Sequence, residues 1–315
     1  MADPTSSLRT RSVHGAYDAL IVGAGPAGMS AALILARCRR KILLCGSGKR
    51  RNEASHGIHG LLTHECRTPA DFIASAEADL ARYVSLQRRD TEVVDIHADG
   101  DCFKFGCSDG FSGWTKKVLL ATGLSDELPA LPGIDTFYGR SVHHCPYCDG
   151  FEYADQPIAA FGEGDKGAAL ALMMRQWSQN IVLLTSGGAR PSAAMYDRLR
   201  SHSIQHIETK IAGLEGDDGV LRRICFADGA HVDCAALFFS TGCRQKSDLW
   251  RALGCARDEK GGIITDPLTE ETTAAGVYVA GDVSRDVLLI SVAMAEGAKA
   301  AVAINRALLR EDGLL

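Results

Sequence analysis

Several features of membrane, secreted and nucleic-acid-binding proteins are missing from this sequence. No apolar run approaches the ~20 residues that a membrane-spanning helix needs. Residues 1–15 are polar and no apolar segment follows them, so we expect a flexible N-terminal arm rather than a secretion signal, with a transit peptide as the alternative. The net charge of -5 provides no basic surface for nucleic acid or anionic lipid. We therefore expect neither a nucleic-acid nor a membrane partner.

The chain also lacks the even, closely spaced cysteines of a secreted disulfide scaffold. It has 11 cysteines in 315 residues, which is an odd count in a long chain. We therefore expect a reducing, cytoplasmic location in which most of these thiols are inert. At roughly 150 residues per domain the length predicts two domains, although no Pro/Gly/Ser-rich linker or internal repeat marks a boundary between them.

A glycine-rich turn near the start of the chain has the pattern of a dinucleotide-binding fold. Gly23, Gly25 and Gly28 form G-x-G-x-x-G after an apolar run, and a helical pattern and a second apolar run follow them. The first glycine permits a tight turn, the second lets the backbone approach a pyrophosphate, and the third lets the helix pack on the strand. This context favours nucleotide binding over a glycine-rich turn without a ligand.

The acidic residue that usually binds the ribose of such a nucleotide is absent. Dinucleotide folds carry Asp or Glu about 20 residues after the glycines. Here the second apolar run is followed by Cys45-Gly46-Ser47-Gly48, and the next carboxylate is Glu53. We expect the Ser47 hydroxyl or backbone groups to hold the ribose instead.

Two cysteines near the middle of the chain, Cys145 and Cys148, form a C-x-x-C motif. This spacing allows a disulfide across a tight turn, and it can lower the pKa of one thiol. A four-cysteine zinc site would need a second C-x-x-C, which the sequence does not contain, and adjacent His143 and His144 rarely point at one metal. We therefore predict no metal. From the residues alone, the motif is either a redox pair or two unrelated core cysteines.

A second dinucleotide pattern begins directly after the C-x-x-C. Gly162, Gly164 and Gly167 repeat the G-x-G-x-x-G spacing between two apolar runs within residues 157–186. A C-x-x-C beside a βαβ unit is typical of redox proteins. We expect one of the two nucleotide folds to hold a flavin with which the cysteines exchange electrons.

From residue 17 onward the sequence resembles the low-molecular-weight thioredoxin reductase family. Five blocks occur in the family's order: GAGPAG (23–28), LLATGL (119–124), CPYCDG (145–150), FSTGC (239–243) and GVYVAGDV (276–283). The resemblance implies an α/β fold of two Rossmann-like dinucleotide-binding domains of the three-layer ββα type, the second inserted into the first. The FAD-binding domain would comprise residues 16–135 and 248–315, and the central C-x-x-C domain residues 136–247. The resemblance also implies FAD as cofactor and a homodimer.

The fingerprint and the resemblance together define the expected FAD site. Its residues are Gly23, Gly25, Pro26, Ala27, Gly28, Ser47, Arg51, Asn52, Val94, Thr122, Gly123, Gly281, Asp282, Ser291 and Val292. The resemblance implies that Asp282 hydrogen-bonds the ribityl chain with Gly281 beside it. It also places Ser291 and Val292 where the C-terminal helix meets the flavin ring.

The resemblance also assigns the catalytic residues. Cys145 is the sulfur that a substrate thiolate attacks, Cys148 is the cysteine next to the flavin, and Asp149 is the acid that follows it. His143 and His144 are further acid–base candidates because histidine titrates near neutral pH, and a structural role is the alternative for either.

The segment after the second strand of the central fold departs from ordinary thioredoxin reductases. Those enzymes carry a histidine and arginines there for the 2′-phosphate of NADPH, whereas here only Arg190 is nearby. The expected NADP(H) site (Gly162, Gly164, Gly167 and Arg190) therefore lacks the charge that tight binding needs.

Residues 49–65 depart from the family pattern as well. They lack its glycine-glycine-glutamine-leucine flavin segment, and Arg51-Asn52 with residues 55–60 (SHGIHG) resembles instead the small-molecule dithiol oxidases that close disulfides in gliotoxin, holomycin and romidepsin. We therefore expect an FAD-dependent oxidase of a small natural-product dithiol, with NADP+ or O2 as final acceptor. The alternatives are an NADPH-dependent thioredoxin reductase acting on thioredoxin, and a flavin redox sensor without turnover. Loops around the C-x-x-C, among them residues 56–66, are expected to shape the substrate site.

Overall fold

The computed structural model describes residues 15–47, 50–284 and 287–315. The predicted N-terminal arm, apart from Gly15, lies outside these residues. The chain divides into two compact units. Unit 1 comprises the chain up to Arg50 together with Ile73–Leu124 and Gln245–Leu315, and unit 2 comprises Arg51–Phe72 and Ser125–Arg244. Unit 2 thus includes residues 51–72, which the family resemblance assigned to the FAD-binding domain.

The bounds of the regular elements are as follows. The strands are β1 (Tyr17–Val22), β2 (Ile42–Cys45), β3 (Leu86–Arg89), β4 (Val93–Asp99), β5 (Cys102–Cys107), β6 (Ser112–Leu120), β7 (Leu124–Asp126), β8 (Val142–His143), β9 (Ile158–Phe161), β10 (Ile181–Leu184), β11 (Gln205–Ile207), β12 (Ile211–Asp217), β13 (Val220–Phe226), β14 (His231–Asp233), β15 (Ala236–Phe239), β16 (Cys243–Gln245) and β17 (Val277–Val279). The helices are α1 (Pro26–Arg37), α2 (Pro69–Leu80), α3 (Ile134–Phe137), α4 (Pro146–Asp149), α5 (Gly164–Met174), α6 (Ala193–Ser201), α7 (Leu249–Ala252) and α8 (Ile290–Glu311), with 3-10 helices η1 (Phe151–Tyr153) and η2 (Asp282–Ser284).

The sheet of unit 1 is parallel on one side and antiparallel on the other. Strands β3, β2, β1 and β6 run parallel, and β17 pairs with the last three residues of β6. The first half of β6 pairs antiparallel with β5, which pairs with β4. The strands β1 and β2 are almost wholly buried, because both faces of a parallel sheet are covered, and they therefore read as continuous apolar runs.

Helices α1 and α8 of unit 1 pack with their backbones in close contact. A Cβ atom at Gly297 would lie 2.1 Å from the carbonyl oxygen of Ala27, so only glycine fits there. The Ser30 hydroxyl donates a hydrogen bond to the carbonyl of Met294 at 2.7 Å. This contact fixes the first helix of the nucleotide fold against the C-terminal helix.

Unit 2 has three layers. Its parallel sheet has the order β11-β10-β9-β15-β8, and β12, β13 and β14 form a separate antiparallel sheet. Phe161 and Leu184 on one face of the parallel sheet share an apolar cluster with Ile224 of β13. Ala160 on the other face shares a cluster with helix α5. Alternate residues of each strand therefore face the antiparallel sheet and the helices, as the ββα pattern predicted.

Within the described ranges, no helix combines the length and apolar character that crossing a bilayer requires.

Candidate active site

The turns that follow four parallel strands of unit 1 carry most of the predicted FAD residues. Gly23 follows β1, Ser47 lies just beyond β2, Thr122 and Gly123 follow β6, and Gly281 lies just beyond β17. Because these strands are parallel, their carboxyl ends meet at one edge of the sheet. This edge is where open α/β sheets bind nucleotides.

The glycines at this edge form a close-packed turn with one open position. Gly23 has φ of 115°, and a Cβ there would lie 2.1 Å from the carbonyl oxygen of Ala121. A Cβ at Gly28 would lie 1.9 Å from the carbonyl oxygen of Gly23. By contrast, nothing lies within 4 Å of the Cβ position of Gly25, so its backbone is open to a ligand. The residues present therefore fit the pyrophosphate of FAD.

Two further segments of unit 1 carry predicted FAD residues. Pro26 and Ala27 open α1, while Ser291 and Val292 lie in the first turn of α8. Later in α8, the buried Glu296 accepts a hydrogen bond from the backbone N–H of Gly281 at 2.7 Å. Glu296 therefore positions the turn that carries Asp282, and the sequence pattern did not single it out.

The remaining predicted FAD residues have different surroundings. Val94 is exposed and lies at a register shift between β4 and β5. Arg51 and Asn52 belong to unit 2, unlike the other members of the predicted set. Their roles in FAD binding stay predictions.

The C-x-x-C lies in unit 2, directly after β8, at the carboxyl end of the parallel sheet. Cys145 and Cys148 are joined by a disulfide, with their Cα atoms 5.3 Å apart. Cys145 caps the short helix α4, and the backbone N–H of Cys148 donates a hydrogen bond to the Cys145 sulfur at 3.1 Å. The same N–H can stabilise a thiolate on Cys145 once the disulfide opens.

His143 is buried and connects to the acid at the end of this helix. Its Nδ1 lies 3.3 Å from Oδ1 of Asp149. Its Nε2 lies 3.1 Å from the carbonyl oxygen of Arg140 and 3.3 Å from the hydroxyl of Tyr153. Burial raises the pKa of Tyr153 to about 12, so its hydroxyl keeps its proton at neutral pH. The structure thus brings two of the predicted catalytic residues together.

His144 belongs to a different network. Its Nδ1 lies 3.4 Å from the Tyr138 hydroxyl and 3.8 Å from a carboxylate oxygen of Asp126. Arg51 binds Asp126 through two nitrogens at 2.9 and 2.6 Å. Burial lowers the pKa of His144, although the charge of Asp126 opposes this. Burial would raise the pKa of Asp126, but the Arg51 hydrogen bond and charge hold it below its ordinary value.

The central members of these networks could not be recognised in the sequence. Arg51 and Asp126 are 75 residues apart, and neither belongs to a motif that predicts pairing. His56 is a further residue whose surroundings the sequence does not predict. Burial lowers the pKa of His56, and the nearby Arg140 and His143 lower it further. The charge of Asp149 acts in the opposite direction and raises it. His56 therefore lies within electrostatic reach of the pair of His143 and Asp149.

The nine other cysteines form no disulfide, and all eleven cysteines lie in the described ranges. Burial raises the pKa of Cys45 and of Cys234 to about 12, and it also raises the pKa of Cys107 and Cys255. Such thiols are poor nucleophiles because the thiolate is the reactive form. The expectation that most cysteines are inert agrees with these surroundings.

The second glycine turn follows β9 and opens α5, but carboxylates surround it. Arg190 is bound by Glu208 through Nε at 2.9 Å and through Nη2 at 2.6 Å. A Cβ at Gly188 would lie 2.5 Å from Cγ of Glu163, the residue between Gly162 and Gly164. These acidic groups would repel phosphates, and the arginine is already paired, so the residues here do not fit NADP(H).

Comparison with known proteins identifies the family. A family model described as pyridine nucleotide-disulphide oxidoreductase matches residues 17–297. The chain belongs to this family. Thioredoxin reductase tcpT of Claviceps purpurea is 28% identical over 286 residues, covering 86% of this chain and 88% of the relative. Thioredoxin reductase aclD of Aspergillus oryzae is 27% identical over 91% of this chain and 95% of the relative.

Solved structures show the same fold. HlmI is similar with a TM-score of 0.90 and 32% identity over 95% of each chain. An oxidoreductase from Agrobacterium tumefaciens has a TM-score of 0.87 and 32% identity, over 94% of this chain and 99% of its own. The predictions of a thioredoxin reductase-like α/β fold, of an enzyme and of FAD as cofactor are confirmed.

Proposed function

We propose that this flavoenzyme oxidises a dithiol of a small molecule to an intramolecular disulfide, with O2 as the final electron acceptor. The net reaction converts one dithiol and one O2 into one cyclic disulfide and one H2O2. Thiol–disulfide exchange at Cys145 and Cys148 would couple the substrate to FAD.

The observation that carries the direction of this reaction is the pairing of Arg190 with Glu208. A thioredoxin reductase must bind NADPH to deliver electrons to its flavin, and the 2′-phosphate needs charge-assisted donors. In this chain a carboxylate engages the arginine nearest to the predicted phosphate position. With one arginine near that position, and that arginine paired with a carboxylate, the chain is better suited to take electrons from a thiol substrate than from NADPH.

In the first step a substrate thiolate attacks the sulfur of Cys145, the position that the family resemblance assigns to this role. The bond between Cys145 and Cys148 breaks, and Cys148 leaves as a thiolate. The second substrate thiolate then attacks the substrate sulfur of the mixed disulfide, and Cys145 leaves as a thiolate. The backbone N–H of Cys148 stabilises that leaving thiolate through its hydrogen bond.

Each substrate thiol must lose its proton before it attacks. Asp149 follows Cys148 directly, and its carboxylate contacts the buried ring of His143. We propose that this pair accepts the substrate protons and exchanges them with solvent. Bound FAD would supply the acceptor for the electron pair of the two reduced cysteines, so that Cys145 and Cys148 could close their disulfide again.

A thioredoxin reductase is the second candidate, and the names of the relatives favour it. Both tcpT and aclD are called thioredoxin reductases. In that case electrons would run in the opposite direction, from a nucleotide through FAD and the cysteines to a protein disulfide.

Comparison of electron donors tests the proposal. Under anaerobic conditions we expect dithiothreitol to bleach the oxidised flavin at least about a hundredfold faster than NADPH does. Addition of O2 should restore the flavin colour and form one H2O2 per disulfide. Rapid bleaching by NADPH, followed by reduction of oxidised thioredoxin, would establish the reductase instead. Bleaching by neither donor would contradict both functions.

Replacement of Asp149 by asparagine tests the proton acceptor. We expect kcat for dithiol oxidation to fall about a hundredfold, because asparagine cannot accept a proton. A substrate supplied as the preformed thiolate at alkaline pH should recover most of the rate. The exposed Asp233→Asn variant, in the same unit, should retain wild-type kcat. An unchanged pH–rate profile for Asp149→Asn would remove Asp149 from the mechanism.

Further parts of the proposal concern assembly and location. The family resemblance supports a homodimer, which sedimentation of the holoenzyme can measure. The nine cysteines outside the C-x-x-C form no disulfide, which supports a reducing, cytoplasmic compartment.

A further inference from the structure

A short loop of unit 2 brings together three side chains that the proposed reaction does not use. Ile58 and Arg67 form an antiparallel bridge that closes residues 58–67, which we call the bridge loop. The Ile58 N–H donates to the Arg67 carbonyl at 2.7 Å, and the Cys66 N–H donates to the Ile58 carbonyl at 2.9 Å. The bridge therefore sets His59, at the start of the loop, beside Cys66 at its end.

His59, Glu65 and Cys66 present one nitrogen, one oxygen and one sulfur. These three atoms lie within 4.8 Å of one another. Nδ1 of His59 is 2.8 Å from Oε1 of Glu65. The other oxygen of Glu65 accepts a hydrogen bond from the Gly60 N–H at 2.9 Å, which orients the carboxylate towards the histidine. Such an outer hydrogen bond is typical of carboxylates that ligate a metal.

A fourth candidate ligand atom, a carboxylate oxygen, comes from outside the bridge loop. Oε1 of Glu152 lies 3.5 Å from the same Nδ1 of His59. Ligand atoms around a tetrahedral zinc ion are roughly 3.3–3.7 Å apart, given its bond lengths of about 2.0–2.3 Å. The ligand atoms that lie within 4.8 Å of one another belong to His59, Glu65 and Cys66, so Glu152, which approaches His59, would have to move towards an ion held by those three residues.

We propose that His59, Glu65, Cys66 and Glu152 form a site for Zn²⁺. An ion pair between the histidine and the two carboxylates would account for His59, Glu65 and Glu152, but it would not account for the thiol of Cys66. A set of imidazole, thiolate and carboxylate suits zinc and disfavours Mg²⁺ or Ca²⁺, which prefer oxygen ligands. On binding, Zn²⁺ displaces the proton of the Cys66 thiol to solvent. The C-x-x-C was the one sequence motif weighed as a zinc site, and the prediction from it was that the chain holds no metal.

The position of Glu152 connects this site with the C-x-x-C. Glu152 is the middle residue of η1, which begins two residues after α4 ends. The next residue, Tyr153, contacts the ring of His143. A bound ion would therefore tie the bridge loop to the segment that supports the catalytic histidine.

Metal titration of the holoenzyme tests this assignment. Tag-free protein with its Cys145–Cys148 disulfide intact is titrated with Zn²⁺ and with Co²⁺ in the absence of reductant, so that the redox cysteines cannot bind the ion. We expect one equivalent per chain, a thiolate-to-cobalt charge-transfer band, and a higher thermal unfolding midpoint with Zn²⁺. Cys38→Ser, which removes another exposed thiol, should behave as wild type.

Variants of the ligands give the decisive comparison. Cys66→Ser should abolish the charge-transfer band and lower Zn²⁺ affinity at least about tenfold, and His59→Ala and Glu152→Gln should lower the affinity similarly. Flavin content and the metal-free unfolding midpoint report whether each variant is folded, and Cys66→Ser is nearly isosteric at an exposed position. Wild-type affinity in Cys66→Ser would overturn the site. Wild-type affinity in Glu152→Gln alone would overturn the link to η1.

Discussion

Replacement of either Cys145 or Cys148 by serine should lower dithiol-to-disulfide turnover by about a thousandfold or more. Both sulfurs are required, because the substrate must open a disulfide and the same two cysteines must close it again. A serine hydroxyl forms neither bond. Reduction of the flavin by dithiothreitol under anaerobic conditions should be lost to the same extent, since no other pair of thiols substitutes in the proposed relay.

Flavin content and a third cysteine variant control this experiment. The redox cysteines lie in unit 2 and most of the predicted FAD residues in unit 1, so both serine variants should keep the bound flavin of the wild type. Cys38→Ser should keep full turnover. If either active-site variant retained more than about a tenth of the wild-type rate with the flavin bound, the cysteine relay would be wrong.

The turns of the fold are encoded locally, and they could be predicted from the sequence for that reason. Gly23 has a positive φ, and Gly28 has no room for a Cβ, so glycine is required at both positions. The spacing of these glycines therefore indicates the strand, the turn and the helix. The C-x-x-C disulfide is local as well, because its two residues are three positions apart.

Contacts between distant residues follow no such pattern. The pairing of Arg51 with Asp126 depends on the three-dimensional path of residues 51–72, which group with unit 2 rather than with the flanking sequence. Glu296 resembles any other polar residue of an amphipathic helix until the structure places it against the Gly281 N–H. A carboxylate buried by tertiary packing leaves no trace in local periodicity, so these residues could not be predicted.

The two histidines before the C-x-x-C illustrate how adjacent residues acquire different properties. His143 and His144 looked equivalent as acid–base candidates. His143 ends β8 and His144 follows it, and their side chains meet different partners: His143 meets Asp149, whereas His144 meets the pair of Arg51 and Asp126. We therefore expect His143 to act in proton transfer, whereas His144 joins the network that holds residues 51–72 to the segment before the C-x-x-C.

That network should make a large contribution to stability. Asp126→Asn should lower the free energy of unfolding by about 3–5 kcal/mol, because it removes the negative charge that binds the largely buried Arg51 guanidinium through two nitrogens. The side chains of Arg51 and Asp126 are only 17% and 6% exposed. Arg190 and Glu208 form the matched control, with side chains 75% and 37% exposed. Glu208→Gln should change stability by less than about 1 kcal/mol, since water screens that pair.

A double variant separates the charge effect from packing. The variant Arg51→Met/Asp126→Leu removes both charges, so no charge is left buried. It should therefore recover most of the free energy of unfolding that Asp126→Asn loses. Urea unfolding of the holoenzyme gives the free energy of unfolding of the wild type, Asp126→Asn, Glu208→Gln and the double variant. A loss below about 1 kcal/mol in Asp126→Asn would show that the pair is as weak as a surface ion pair.

The pH dependence of stability offers an independent measurement of the same pair. Arg51 lowers the pKa of Asp126 in the fold, so the stabilisation is fully present above the ordinary aspartate pKa of about 3.9 and is lost as pH falls through the folded value. Asp126→Asn should lack this acid-side loss. It should also lower the pKa of His144 further, because burial lowers that pKa and the charge of Asp126 opposes the effect. Below pH about 6.5, the ordinary histidine pKa, the unfolded chain takes up this proton more readily than the folded chain does. Acidification should therefore destabilise the variant more than the wild type.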